Sequence, residues 1–298
     1  MPSTFRLLEP LPAGTFASPF GVRSNGVPVF ECLRLLTGSL DVEHKPSSKI
    51  VKHRFCYLSQ KSRRLSGNTT EKIVELAFDG DLSAIDAGTY LTRSASTNRA
   101  FWEELKTEIC FCLSAKKKHR HVEAFLHLYR VFELVSVALP LIYATKVADF
   151  RDAVRFIKSL SKNERDQDLS ILRYFSEEIS KSGSFSDLSI DYSFDEFDAS
   201  ARAHLRSQLD SFVLSNANIS HTGFASPNDG VSIEFKSVSS FMVSCRNRLF
   251  HNAISNENFK LDGMQGSNTI CSILIDPGLY WFSLVLTEIM KAEASRYV

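Results

Sequence analysis

Cys245-Arg246-Asn247-Arg248-Leu249-Phe250-His251-Asn252 closes a helical pattern that begins near Ser237. Its reading decides what kind of helical protein this is. At about 100° per residue, Val238, Phe241, Met242, Cys245 and Leu249 fall on one apolar stripe. Arg246 falls on the edge of that stripe. Asn247 and His251 fall opposite it, and Phe250 lies between Arg246 and this polar face. The helix is therefore expected to pack by one face and to present Asn247 and His251 on the other. Arg246 and His251 stand about 140° apart on an ideal helix. A shared substrate, a break near Asn252 or a second subunit must bring them together.

The spacing alone is weak. An Arg and a His separated by four to six intervening residues are expected about 1.5 times by chance in a chain of this composition. It occurs twice, as Arg246…His251 and Arg120…His127. Requiring Asn directly after Arg lowers the expectation to about 0.06, and only Arg246-Asn247…His251 remains. The plain alternative is a solvated helix end, where cationic side chains favour the negative pole of the dipole.

Arg246-Asn247-Arg248-Leu249-Phe250-His251 resembles the Arg-Asn-x-x-x-His signature of the HEPN superfamily, a group of helical domains that includes many metal-independent ribonucleases. The upstream segment Ala124–Glu133 resembles the first long helix of such domains. The resemblance covers about residues 98–298 and implies a mainly α fold: a HEPN-like helical bundle with small β or irregular additions. It also implies a chemistry. The 2′-hydroxyl of RNA attacks the adjacent phosphate, His251 moves a proton, Arg246 stabilises the phosphate charge, and Asn247 orients His251 or holds a phosphate oxygen. No metal or cofactor is expected. One His serves poorly as both acid and base, so a homodimer pairing two motifs is expected. The implied setting is antiviral (anti-phage) defence or a growth-arresting toxin, with a regulatory or antitoxin protein, or a covalently modifying enzyme, as a further partner. The rival reading is a non-catalytic HEPN-type module for RNA binding or dimerisation.

Working outward, the chain divides at about residue 95. Residues 1–95 are mixed, with recurrent Pro and Gly and β-like runs at Val27–Cys32, Ile50–Leu58 and Ile73–Phe78. Residues 96–298 are patterned as helices over Asn98–Ser114, a long apolar stretch to about Lys146, Asp149–Leu160 and Asp166–Lys181. Pro140 is expected to kink or break the long stretch. A loop is expected over Ser182–Tyr192, then a capping box, Ser193-Phe194-Asp195-Glu196, launching a helix to Leu214. Short strands are expected at Val231–Phe235 and Ile270–Ile275, and a last helix from Asp276-Pro277.

Of 298 residues, 44% are hydrophobic, enough for a sizeable core, and the net charge of +1 excludes a global field for nucleic acid. RNA contact must come from local patches, and Lys116, Lys117, Lys118, Arg120 and Arg248 are the candidates. For Lys116–His121 the alternative is a solvated basic turn. Glu123, His127 and Arg130 form a polar stripe, with Glu133 on its edge. They either pair among themselves or, for His127 and Glu133, support the catalytic cleft. The six Cys lack zinc spacing and are expected as buried thiols in a reducing compartment. Acids between Asp187 and Asp198 straddle a loop and a helix start, so no metal site is expected there. Met-Pro-Ser-Thr-Phe-Arg lacks an apolar signal core, and Val131–Ala144 is short for a membrane span. The expectation is a cytoplasmic protein with no membrane contact.

Overall fold

The computed structural model describes residues 4–11, 16, 18–22, 26–62, 69–144, 151, 154–155, 158, 168–181, 185–224, 226–250, 259 and 266–297. Helix makes up 62% and strand 11%, so the chain is mainly α. Its contacts divide it into two compact units: residues 1–119 with 282–298, and residues 120–281.

The first unit holds a three-stranded antiparallel sheet of β1 (Phe5–Leu8), β2 (Asp41–His44) and β3 (Lys49–Val51), and a short ribbon of β4 (Phe55–Cys56) and β5 (Lys61–Ser62). Its helices are α1 (Pro28–Leu36), α2 (Thr69–Phe78), α3 (Ala84–Ser94) and α4 (Arg99–Lys117), joined by the end of a long C-terminal helix. The β-like runs at Val27–Cys32 and Ile73–Phe78 are helical instead. All nine residues of α1 are buried. A helix buried all round shows no alternation of apolar and polar positions, so its period cannot be read. Pro28 at its start supplies a preset φ where no amide partner is needed. Arg34, at 0% exposure, is held by Glu9 at 2.6 and 2.8 Å, by Ser39, and by the Phe16 ring 3.6 Å from its Cζ. Such a buried charge needs every one of these partners. Gly38 has φ +67°, and a Cβ there would lie 2.7 Å from backbone atoms of Arg54 and Phe55, so the turn from α1 into β2 requires glycine.

The second unit holds α5 (His121–Ala144), α6 (Asp168–Ser180), α7 (Ala199–Phe212), α8 (Val238–Phe250) and the first part of α9 (Ser267–Ala294). A three-stranded antiparallel sheet in the order β6 (Ser189–Ser193), β8 (Gly230–Glu234), β7 (His221–Gly223) packs with them. β8 lies where a strand is expected. β6 occupies part of the expected loop; its alternation is visible in hindsight, with Ile190 and Tyr192 buried and Asp191 exposed. The Ser193 box does not launch a helix. Ser193 Oγ instead accepts from the Asp195 amide, and α7 starts at Ala199, capped by Asp198, whose carboxylate accepts from the Ala201 amide at 2.8 Å. Ile270–Ile275 is helical, and Pro277 lies inside α9 rather than at its start. Pro140 likewise lies inside α5, which runs on to Ala144. Asp149–Leu160 falls mostly outside the described residues.

The core of this unit forms around Trp281, fully buried, whose Nε1 donates to the Phe235 carbonyl at 2.9 Å, with Phe132 5.0 Å away. Asn268 Oδ1 accepts from the His121 and Val122 amides, so α9 caps the start of α5. Gly278 lets three helices meet: a Cβ there would lie 2.8 Å from Leu128 of α5 and 2.9 Å from Met242 of α8. α5 over His121–Ile142 and α9 are each long enough for a membrane span, and the most apolar 18-residue stretch in each, of mean hydropathy 1.6, is 50% and 67% buried within the chain. The six cysteines are free and buried.

Candidate functional site

α8 follows β8 through a 3-10 turn at Phe235–Ser237. Val238, Phe241, Met242 and Cys245 are each 0–1% exposed, which is the expected stripe. Leu249 departs from it and is only half-buried. Its neighbour Phe250 turns to α5 instead, stacking on Phe125 with centroids 6.2 Å apart. Phe250 is half-buried like Leu249, so the last turn meets α5 through a partly exposed ring.

Arg246 also lies beside α5. Its Cζ sits 5.1 Å from the centroid of the Tyr129 ring, and its Nη1 donates to Asn247 Oδ1 at 3.2 Å. The ring face carries negative quadrupole density, so the guanidinium lies where the ring attracts it. Arg246 is half-buried. Asn247 is exposed, as expected opposite the stripe, while its Oδ1 reaches the Arg246 guanidinium. Tyr129 is only 6% exposed. Burial pushes its hydroxyl up to about 12; the Arg246 charge pulls it down and Glu133 pushes it further up. Both ionic groups therefore act on the same phenol.

Tyr129 is the residue that sequence reasoning missed. The signal was present: Tyr129 and Glu133 are one turn apart, on the helix face adjoining Phe125. Of the expected supporting residues, Glu133 belongs to this neighbourhood. Arg130 is exposed and His127 half-buried on α5. Glu123, expected in a stripe with them, pairs with Arg120 at 2.9 Å. His251 lies outside the described residues.

The expected RNA contacts are divided between the two units. Arg120 and Arg248 belong to the second unit, and the Arg248 carbonyl accepts from the Phe259 amide at 3.2 Å. Lys116, Lys117 and Lys118 belong to the first unit, where Lys116 is half-buried and donates to Tyr57 Oη at 3.3 Å, while Lys117 and Lys118 are exposed.

Behind the stripe, burial pushes the Cys271 thiol up to about 12 and the Cys245 thiol up as well, with Cys271 adding to the effect. Both stay protonated at neutral pH, the form that neither attacks nor binds metal. Among the described residues, no group of three or more His, Cys, Asp or Glu is placed to hold a metal ion. The local arrangement is a fixed guanidinium, braced by a ring and an amide, at the C-terminal end of a helix. It can hold an anion and stabilise charge that develops on it. Compared with protein-family models, with curated proteins and with solved structures, the chain matches none of them.

Proposed function

We propose that this chain is a metal-independent endoribonuclease of HEPN type, acting in antiviral defence or as a growth-arresting toxin. The observation that supports it best is Arg246 held between the Tyr129 ring and Asn247 Oδ1. A guanidinium braced on two sides loses little freedom when it binds phosphate, and electrostatic stabilisation depends on such preorganisation. RNA supplies the nucleophile. The 2′-hydroxyl attacks phosphorus, the 5′-oxygen of the next nucleotide leaves, and the products are a 2′,3′-cyclic phosphate and a 5′-hydroxyl. His251, four residues after Asn247 in sequence, moves the proton. A second His251 from a partner copy of this chain completes the acid–base pair.

The test uses purified Arg246→Lys and His251→Ala proteins on single-stranded RNA. Lys keeps the charge above the Tyr129 ring but loses the fork that grips two phosphate oxygens. Each variant should cleave at least about 100-fold more slowly, with an unfolding midpoint within about 2 °C of the parent. Undiminished cleavage by both variants would overturn the roles given to Arg246 and His251, and a parent protein that cleaves no RNA would leave a binding or dimerisation module as the reading.

A further inference from the structure

We propose that the β2–β3 hairpin and the C-terminal end of α4 form a binding face for a single-stranded RNA backbone, in the first unit. Residues 44–70 contain seven Lys or Arg and no Asp or Glu, in a chain whose net charge is only +1. The two acids just before this stretch are already neutralised, Glu43 by Arg6 at 2.6 Å and Asp41 by Arg54. Lys45, Lys49 and Lys52 are exposed. Among the described residues, none of the three has an ion-pair partner. The hairpin register sets His44 opposite Lys49 and Val42 opposite Val51, so Lys45 and Lys49 flank the turn and Lys52 follows the far end of β3.

α4 adds its own cations to the same unit. Phe111 of α4 packs edge-on against Phe5, with centroids 4.6 Å apart, and Phe5 lies 5.5 Å from the His44 ring. Further along α4, Lys116 reaches over Phe55 and Tyr57, 5.9 and 5.8 Å from the ring centroids. Lys117 and Lys118 follow, exposed. Between the two sets of cations stand His53, stacked on Tyr57 at 5.6 Å, and Phe55, both half-exposed.

The occupant follows from this mixture. Cations spaced along the hairpin, from its turn to the end of β3, suit the repeating charge of a phosphate backbone. Half-exposed rings between them offer stacking to unpaired bases of any sequence. An anionic membrane would favour a contiguous apolar band, and Ile50 is the one large apolar side chain well exposed in this hairpin. The choice of RNA over other polyanions rests on the ribonuclease reading above.

The experiment measures binding of a short fluorescein-labelled 2′-O-methyl RNA by anisotropy, using the full chain. That probe has no free 2′-hydroxyl, so binding is read apart from cleavage. The triple variant Lys45→Gln, Lys49→Gln, Lys52→Gln should bind at least about 10-fold more weakly. Its salt dependence should be shallower by about 2 in log–log slope, for three lost phosphate contacts on a single strand. The double variant Lys117→Gln, Lys118→Gln should weaken binding in the same direction. A control pair elsewhere, Lys181→Gln with Lys236→Gln, should bind like the parent. Parent-like binding by the triple and the double variants would overturn the proposal, and so would binding of phosphatidylserine vesicles in place of RNA. A parent protein that binds this probe through these lysines yet cleaves no RNA would overturn the ribonuclease reading and leave this face standing.

Discussion

The proposed role of Arg246 on phosphate gains from a guanidinium that is held still, and the Tyr129 ring, 5.1 Å from its Cζ, is placed to hold it. A cation over an aromatic face is stabilised by about 0.5–2 kcal/mol, depending on how dry the site is. Tyr129→Phe keeps the ring and should leave cleavage nearly unchanged. Tyr129→Leu removes it and should lower kcat/KM about tenfold, as loss of about 1.4 kcal/mol predicts. If Leu and Phe behave alike, Arg246 does not depend on the ring. The same residue has a pH signature. The folded hydroxyl titrates at about 12 against about 10 when unfolded. Between these values the folded state holds the proton and the unfolded state has lost it. Stability from this group is therefore complete below about pH 10 and is lost as pH rises toward 12. Tyr129→Phe should make the alkaline fall of the unfolding midpoint shallower, and an unchanged fall would contradict this. At this scale the sequence pointed to Arg246 and Asn247 but not to their brace. A tyrosine in an apolar helix looks like any other core residue until the facing helix is known.

At the scale of elements, the site depends on how closely α8 and α9 approach α5. Gly278 permits that approach beside Leu128, the neighbour of Tyr129 in sequence, and beside Met242 on α8. Gly278→Val should force these side chains apart and cost about 1–3 kcal/mol through overpacking. It should also slow cleavage, because the shift occurs next to Tyr129. Denaturant unfolding and RNA cleavage check the two effects, and a variant as stable and active as the parent would show that the packing has slack. α4, α5, α6 and α8 were legible because each shows one polar and one apolar face or a long helical run. α1 was not, since burial on every side erases its period. The start of α9 was misread for a related reason. Ile270, Cys271, Leu274 and Ile275 are all nearly fully buried, and a short apolar run reads as strand as easily as helix. Asp276-Pro277 then looked like a start signal, although the helix is already under way. β6 was hidden by its Ser and Asp content, which composition assigns to loops.

At the scale of the whole molecule, one chain carries a single Arg-Asn…His motif, and the proposed chemistry asks for two proton-transfer groups. A homodimer with a composite cleft supplies them. Mixing the parent with excess His251→Ala protein should reduce activity faster than the parent fraction falls, because mixed dimers lack one histidine. A linear fall, where subunits demonstrably exchange, would make each chain self-sufficient and turn attention to Glu133 or His127. Neither the bulk charge nor the cysteine count could foretell the chemistry, because a net +1 averages the basic hairpin against acids elsewhere.

The central claim is that RNA's own 2′-hydroxyl is the nucleophile and that Arg246, Asn247 and His251 do the rest. Analysis of cleavage ends, with the reaction run in excess chelator, tests it most directly. The account predicts undiminished cleavage leaving 2′,3′-cyclic phosphates and 5′-hydroxyls. Ends bearing 5′-phosphates, or cleavage restored only by added Mg²⁺, would contradict it.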